Sequence, residues 1–393
     1  MKLTRFGALA ATAAIVLSAC GAAGSTAPSD PLGVVTIPAG EKIHIVDWGV
    51  LSGADASLGE DSLYGVQIAV DDKGGKLLGF DINLTTEDGL CTVDGGAAAA
   101  QKMASDNTIV GLIGSSCSDE TVGGIAALTN AGLTTISPSN TRPALTAPDR
   151  DATFAGYART AHSDAFQGKA VAEFVYNELK LTKAATIHDG SAYAEALQQV
   201  FADEFTALGG EIVIQEAVSK GQTDMKPVLT KVAAAKPEVI YDPVFVAEGG
   251  FLWAQHKEVP GLDDVVMIGS DGMFTIDFVK AAGPAAEGNY LSSPNFSAFQ
   301  AGYADFVTKY EAKIGKKPIS AFHAHAYDAA NILFAAIEKV AVKGGDGTLY
   351  IPKGALRDAI FATKDFQGIT GVLSCSASGD CGAPLIAMYQ ISA

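Results

Sequence analysis

The chain has 393 residues, enough for two or three domains of roughly 150 residues each. Apolar residues make up 48% and charged residues 18%, which excludes a disordered chain and supplies a large buried core. Asp plus Glu is 44 and Lys plus Arg is 27, a formal net charge of −17; that argues against nucleic acid or an anionic membrane surface as the main partner and leaves open a small zwitterion held at a local site.

The N-terminus reads as an address. Lys2 and Arg5 precede a mostly apolar run, residues 6–17, shorter than the roughly 20 residues needed to cross a bilayer. Leu17-Ser18-Ala19-Cys20 follows, and a small pair before a cysteine resembles the lipobox of bacterial lipoproteins. That resemblance implies removal of residues 1–19 as a signal peptide and a diacylglyceryl thioether on Cys20, which would anchor an exported body to a membrane. Residues 20–40 are rich in Gly, Ala, Ser, Thr and Pro and predict a flexible tether.

From Glu41 onward, β-like runs alternate with helical patterns. Residues 43–51 predict a strand, and Leu63, Val66 and Val70 then recur at helical spacing. Residues 80–85 predict a strand, 92–105 a helix with Thr92 as its N-cap, 109–113 a buried strand, 118–130 a helix and 133–137 a strand. A proline-containing break covers 141–152. The alternation restarts with helices over 164–179, 192–208, 225–235 and 248–257. Strands interleave over 184–188, 211–217, 239–244 and 265–269. Two longer helical patterns fill about 297–342, and β-like sequence returns around Val372 and 385–389. The pattern predicts an α/β fold: doubly wound lobes with parallel central sheets and helices on both faces, most simply two lobes in series.

Four cysteines remain beyond Cys20: Cys91, Cys117, Cys375 and Cys381. Outside the cytoplasm an even number reads as disulfides, and four allow three pairings. The turn-rich Ser-Ala-Ser-Gly-Asp between Cys375 and Cys381 favours a clip there, leaving Cys91 with Cys117. Zinc is the competing reading, with no Cys-x-x-Cys or paired-histidine spacing behind it.

Catalytic templates fail. No Gly-x-Gly-x-x-Gly opens a helix after the first strand, and Gly168-Lys169 lacks the Ser or Thr of a phosphate-binding loop. There is no Gly-x-Ser-x-Gly elbow and no His-Glu-x-x-His. His323 and His325, two apart, point to different faces of a helix and read as ordinary helix residues. No metal and no cofactor is expected.

Three loops at predicted strand ends are rich in small polar residues, where open α/β sheets hold their ligands. Gly114-Ser115-Ser116-Cys117-Ser118 leads into a helix whose N-terminus suits a carboxylate; the plain alternative is that Ser118 caps its own helix. The second loop is Ile136-Ser137-Pro138-Ser139-Asn140-Thr141. The third is Ile268-Gly269-Ser270-Asp271-Gly272, with Asp271 readable as a ligand group or a turn residue.

With these loops in place, the chain resembles the periplasmic substrate-binding proteins of branched-chain amino acid ABC transporters, the type I "Venus flytrap" fold. The resemblance runs from about Lys42 to Tyr389 and rests on order and spacing. It includes Leu51-Ser52-Gly53, Asp71-Asp72-Lys73-Gly74-Gly75, Ile113-Gly114 with Cys117-Ser118, Ile136-Ser137-Pro138 through Thr141, and Leu145-Thr146. Arg159-Thr160 with Asp164 and Gln167-Gly168, Ile187-His188-Asp189 with Tyr193, Ala286-Glu287-Gly288 and Gly379-Asp380 complete it. It implies two lobes joined by three crossovers, near Thr160, near Ser293 and within 370–385. Residues 41–160 plus 294–380 would form lobe one, and 161–293 plus 381–393 lobe two. It also supports the Cys91–Cys117 pairing.

The resemblance further implies residue roles. Ser118, Ser139 and Thr141 match positions that hold a ligand α-carboxylate. Asp271, Asp164 and Tyr193 match positions around the α-ammonium. Leu58, Ser116, Phe245 and Phe322 fall in the side-chain pocket, where Leu58 and Ser116 replace a common large aromatic and an apolar residue. A small or polar amino acid therefore competes with a branched-chain one. Glu248 reads as a polar wall residue or a helix N-terminal acid. The implied partners are an amino acid and ABC permease subunits, with no nucleic acid; a monomer is expected. A receptor for an amide, urea or an aromatic acid is the rival on the same fold. An exported hydrolase is the rival from another class, and no histidine has an evident Ser or Cys partner for it.

Overall fold

The structure, a computed structural model, describes residues 27–392; the expected signal peptide and Cys20 lie outside the described residues. Two six-stranded sheets organise the chain. The first runs, edge to edge, Lys76–Leu77, Phe80–Asp88, Ile43–Gly49, Ile109–Gly114, Thr135–Ser137 and Tyr157–Arg159. Its pairs are parallel except the first, an antiparallel hairpin. The second runs Ile386–Gln390, Tyr290–Pro294, Val266–Gly269, Val239–Tyr241, Lys183–His188 and Glu211–Ala217. It is parallel except where Ile386–Gln390 joins its edge.

Central strands are continuous apolar runs, as strands covered on both faces must be. Ile109–Gly114, sequence IVGLIG, is buried at every position. Helix bounds follow local chemistry: the Thr92 hydroxyl accepts from Gly95 N at 3.0 Å and caps Val93–Ala104. The long helix His323–Val340 returns to the first sheet, burying Leu333 and Ile337 against Ile45, Val110 and Ile113. It also crosses helix Ala56–Asp72 closely at Gly65, where an added Cβ would lie 2.1 Å from the His323 carbonyl oxygen.

The lobes are therefore not in series. The chain leaves the first sheet after Tyr157–Arg159, returns after Tyr290–Pro294, and crosses again before Ile386–Gln390. Two of these segments run side by side: Arg159 N donates to Gly379 O at 2.9 Å, and Cys381 N to Arg159 O at 3.0 Å. The fully buried Arg159 guanidinium meets Asp380 at 2.7 Å. The Cys375–Cys381 disulfide clips this turn, and Cys91–Cys117 is the second disulfide.

Several expectations change. Within the expected tether, Val34–Ile37 is a strand paired antiparallel with Leu349–Pro352, with Val35 and Ile37 buried. Asp30, also in that stretch, accepts from the amides of Gly354 and Ala355 at the start of helix Lys353–Phe361. Tyr157–Arg159 forms a strand where none was expected. The helix begun at Asp164 is α-helical to Glu173 and closes in a π-helical turn, Phe174–Glu178. His323 is not an ordinary helix residue either: its Nδ1 lies 2.8 Å from the Asp61 carboxylate, both groups buried. His325 is buried as well.

Candidate ligand-binding site

Between the carboxyl ends of the two sheets lies a small, nearly filled space of about 10 Å³. The first lobe contributes Leu58, Ser116, Cys117, Ser118, Ser139 and Phe322; the second contributes Tyr193, Phe245, Asp271 and Gly272. Of the expected site residues, Thr141 and Asp164 are not in its wall. They stand behind it, joined by Asp164 N donating to Thr141 O at 2.9 Å, and both are fully buried. A larger groove of about 370 Å³ lies near Phe274, Ile319 and Tyr389, but no Asp, Glu, Lys or Arg lines it. The smaller space holds the chemistry.

The first-lobe wall is built around a helix start. Gly114 sits at φ +137, and a Cβ there would lie 2.0 Å from the Trp48 carbonyl, so only glycine lets the chain turn. Cys117 is the N-cap of helix Ser118–Asn130, which removes the reading of Ser118 as its own helix's cap. The Ser118 hydroxyl is buried without a hydrogen-bond partner among the described residues. Ser139 donates to Ser116 O at 2.8 Å, tying the two serine loops together. Glu120 accepts from Ser116 N, Cys117 N and Cys91 N, each at 2.9 Å, and so fastens the loop to both half-cystines. Burial pushes this carboxyl up to about 7 against the pull of those three amides. Behind it, burial and then the Glu120 charge push Asp47 up to about 8.

The second-lobe wall presents a carboxylate. Asp271 follows strand Val266–Gly269 and opens a short 3-10 turn. Its Oδ1 accepts from Tyr193 OH at 2.7 Å and from Gln167 Nε2 at 2.8 Å. Burial, then the nearby Asp271 charge, holds Asp164 well above the usual carboxylate range. Burial and the same two acids raise the Tyr193 phenol. The adjacent Arg159 is committed to Asp380. Two carboxyl groups thus share a buried region, and a cationic group placed there would relieve their repulsion.

Contacts across the mouth hold the lobes together. Asp119 accepts from Ala192 N at 2.9 Å and lies 3.8 Å from Lys220 Nζ. Lys220 donates to Cys91 O at 2.5 Å and sits 5.3 Å over the Phe245 ring. Glu248, in the first turn of Val246–His256, accepts from Gly221 N at 2.7 Å and steadies the Lys220 loop. It is absent from the cavity wall, which settles its two sequence readings toward structure. Lys220, Glu120 and His162 were not singled out by sequence, since nothing local distinguishes them. Gln167 was noted only as part of a pattern. Among the described residues no group of His, Cys, Asp and Glu could hold a metal ion.

Residues 43–377 match the model of the periplasmic binding protein family. A Leu/Ile/Val-binding protein homologue of Brucella melitensis is 27% identical over 349 residues, 86% of this chain and 89% of that protein. Among solved structures, the branched-chain amino acid transporter substrate-binding protein LivJ of Streptococcus pneumoniae, in complex with isoleucine, is 26% identical. It superposes with a TM-score of 0.77 over 90% of this chain and 97% of its own. A solute-binding protein of an ABC transporter from R. palustris, in complex with benzoate, shares the fold at TM-score 0.76 and 22% identity, covering 89% of this chain and 93% of its own. With its family model matched over residues 43–377 and its fold shared with these transporter proteins, this chain belongs to the periplasmic binding protein family, with the type I fold.

Proposed function

We propose that this protein is an exported, lipid-anchored receptor that captures an α-amino acid, branched-chain or another small or polar one, between its lobes and delivers it to an ABC importer, with no chemistry on the ligand. One observation carries the reading: a single small space has hydroxyls and a helix start on the wall from one lobe, and the Asp271 carboxylate on the wall from the other. A zwitterion needs this opposition, with donors at one end and acceptors at the other. Ser118 and Ser139 hold the carboxylate, with Thr141 backing them. Asp271 pairs with the ammonium, Asp164 stands behind it, and Tyr193 closes over it. Leu58, Ser116, Phe245 and Phe322 bound the side chain.

Because the two ends belong to different lobes, ligand binding and closure are coupled. The aromatic walls Phe245, Phe322 and Tyr193 support a second reading, an aromatic acid. Such a ligand would leave Asp271 without a cationic partner.

The test is calorimetry of the mature protein, unfolded and refolded to strip carried-over ligand, against the standard amino acids, benzoate, urea and simple amides. Binding by amino acids supports the reading; binding confined to ligands without an ammonium overturns it. The anchor is tested separately: Cys20→Ser is expected to move the exported protein from the detergent phase to the aqueous phase. A wild-type protein already in the aqueous phase would refute lipidation.

A further inference from the structure

The Asp271 carboxylate is held by an amide that itself has two possible orientations. Gln167 is fully buried on helix Asp164–Glu173. Its Nε2 donates to Asp271 Oδ1 at 2.8 Å and to Ser292 Oγ at 2.9 Å. Its Oε1 lies 2.6 Å from Nε2 of His162. Turned over, the same amide would set its carbonyl oxygen against the Asp271 carboxylate, two acceptors with no proton between them. The choice is made at His162. With the proton on Nε2, the imidazole donates to Gln167 Oε1 and forces the amino group toward Asp271. With the proton on Nδ1, it would present an acceptor and favour the wrong face. The His162 Nδ1 atom has no hydrogen-bond partner among the described residues, so nothing recorded at that end competes for the proton.

His162 is itself immobilised. It is 1% exposed and stacks on Phe322, with ring centroids 6.0 Å apart and planes 21° from parallel. Phe322 lines the ligand space. His162 follows the first crossover directly, and Ser292 lies on the strand that precedes the second, so the pair ties Asp271 to the segments that join the lobes.

We propose that His162 and Gln167 are positioning residues: through His162 Nε2–H, the Gln167 amide is locked with its N–H on Asp271, so the carboxylate is aimed at the ligand ammonium before binding. This deepens the amino-acid reading and rests on it. The predicted consequence is selective. Loss of the lock weakens recognition of the ammonium and leaves the carboxylate and side-chain contacts alone.

The experiment compares matched ligands that differ only in the amino group: glycine with acetate, L-alanine with propionate, L-valine with isovalerate, and L-leucine with isocaproate. Dissociation constants are measured for the wild type, Gln167→Met and His162→Phe. The first variant keeps length without the amide; the second keeps a ring on Phe322 without the N–H. Each is expected to raise Kd for the bound amino acid by about tenfold, the size of one hydrogen bond to a charged group, with Kd for its des-amino partner unchanged. A general packing defect would move both members of a pair together. Retained discrimination in a folded variant overturns the positioning role. A wild type that prefers the amino acid in no pair overturns the functional reading instead, and the role with it. If Gln167→Met does not fold, His162→Phe carries the same comparison.

Discussion

Replacing Asp271 by Asn separates charge from shape. The Asn carbonyl oxygen can still accept from Tyr193 OH and Gln167 Nε2, which meet Asp271 Oδ1 at 2.7 and 2.8 Å, so the local network survives. What disappears is a negative charge on a residue 2% exposed. Removing one partner of a buried charge pair costs roughly 2–5 kcal/mol of binding, or about 30-fold to several thousand-fold in Kd. The free protein responds in the opposite direction. Burial and Asp271 together hold Asp164 well above its ordinary range, so removing the Asp271 charge relieves a repulsion. The free protein's Tm is therefore expected not to fall. Calorimetric titration and thermal melts with and without ligand measure both signs on one variant. Weaker binding with an unchanged or higher Tm of the free protein is the expected result. Unchanged affinity would remove Asp271 from the site, and a fall in the free protein's Tm would refute the account of paired acids awaiting a cation.

Other perturbations test the surroundings of the site. Glu120 and Asp47 are raised to about 7 and about 8 by burial, so the folded protein binds protons that the unfolded chain releases at lower pH. Their stabilising contribution is complete below the unfolded values and is lost as pH rises through the folded ones. Denaturant unfolding should show stability falling between about pH 5 and 8, with a slope of up to about 1.4 kcal/mol per pH unit for each proton, flatter in Glu120→Gln; a maximum near pH 8 would refute this. Lys220→Met removes the cation from between Asp119 and the Cys91 carbonyl. Because Lys220 is one-third exposed, the cost is about 1 kcal/mol, roughly fivefold, and stopped-flow should place it in faster ligand release; an unchanged off-rate would deny it a part in closure. Breaking Cys91–Cys117, which closes a 26-residue separation, should cost about 3 kcal/mol of stability. It should also weaken ligand binding, since it frees the Ser116–Ser118 wall, and a loss of stability alone would show that Glu120 suffices to hold that loop.

Sequence legibility followed the range of the forces involved. Ser118–Asn130 and Glu211–Ala217 have the bounds their patterns indicate, because caps and apolar spacing act within a few residues. Val34–Ile37 hid inside a Gly- and Pro-rich stretch because its partner, Leu349–Pro352, lies at the other end of the chain. Tyr157–Arg159 is too short for any periodicity and exists through its parallel neighbour Thr135–Ser137 and a bond to Gly379.

The site divides in the same way. Ser116, Ser118, Ser139 and Asp271 stand at strand ends that an alternating pattern already locates, so their candidacy was readable from order and spacing. Their opposition around one ligand was implied only by the family resemblance, and the tasks of Glu120, Lys220, His162 and Gln167 were not legible at all. Each of these acts on a group distant along the chain: Lys220 on Cys91, Gln167 on Asp271, His162 on Phe322 as well as on Gln167. By itself the sequence determined an acidic, doubly wound α/β chain with polar loops at its strand ends, because periodicity, capping and composition are local. Only the tertiary structure decided which loops face each other and which buried charges lack a partner. Burial and electrostatic coupling depend on distance in space, and three crossings of the chain between two lobes set those distances.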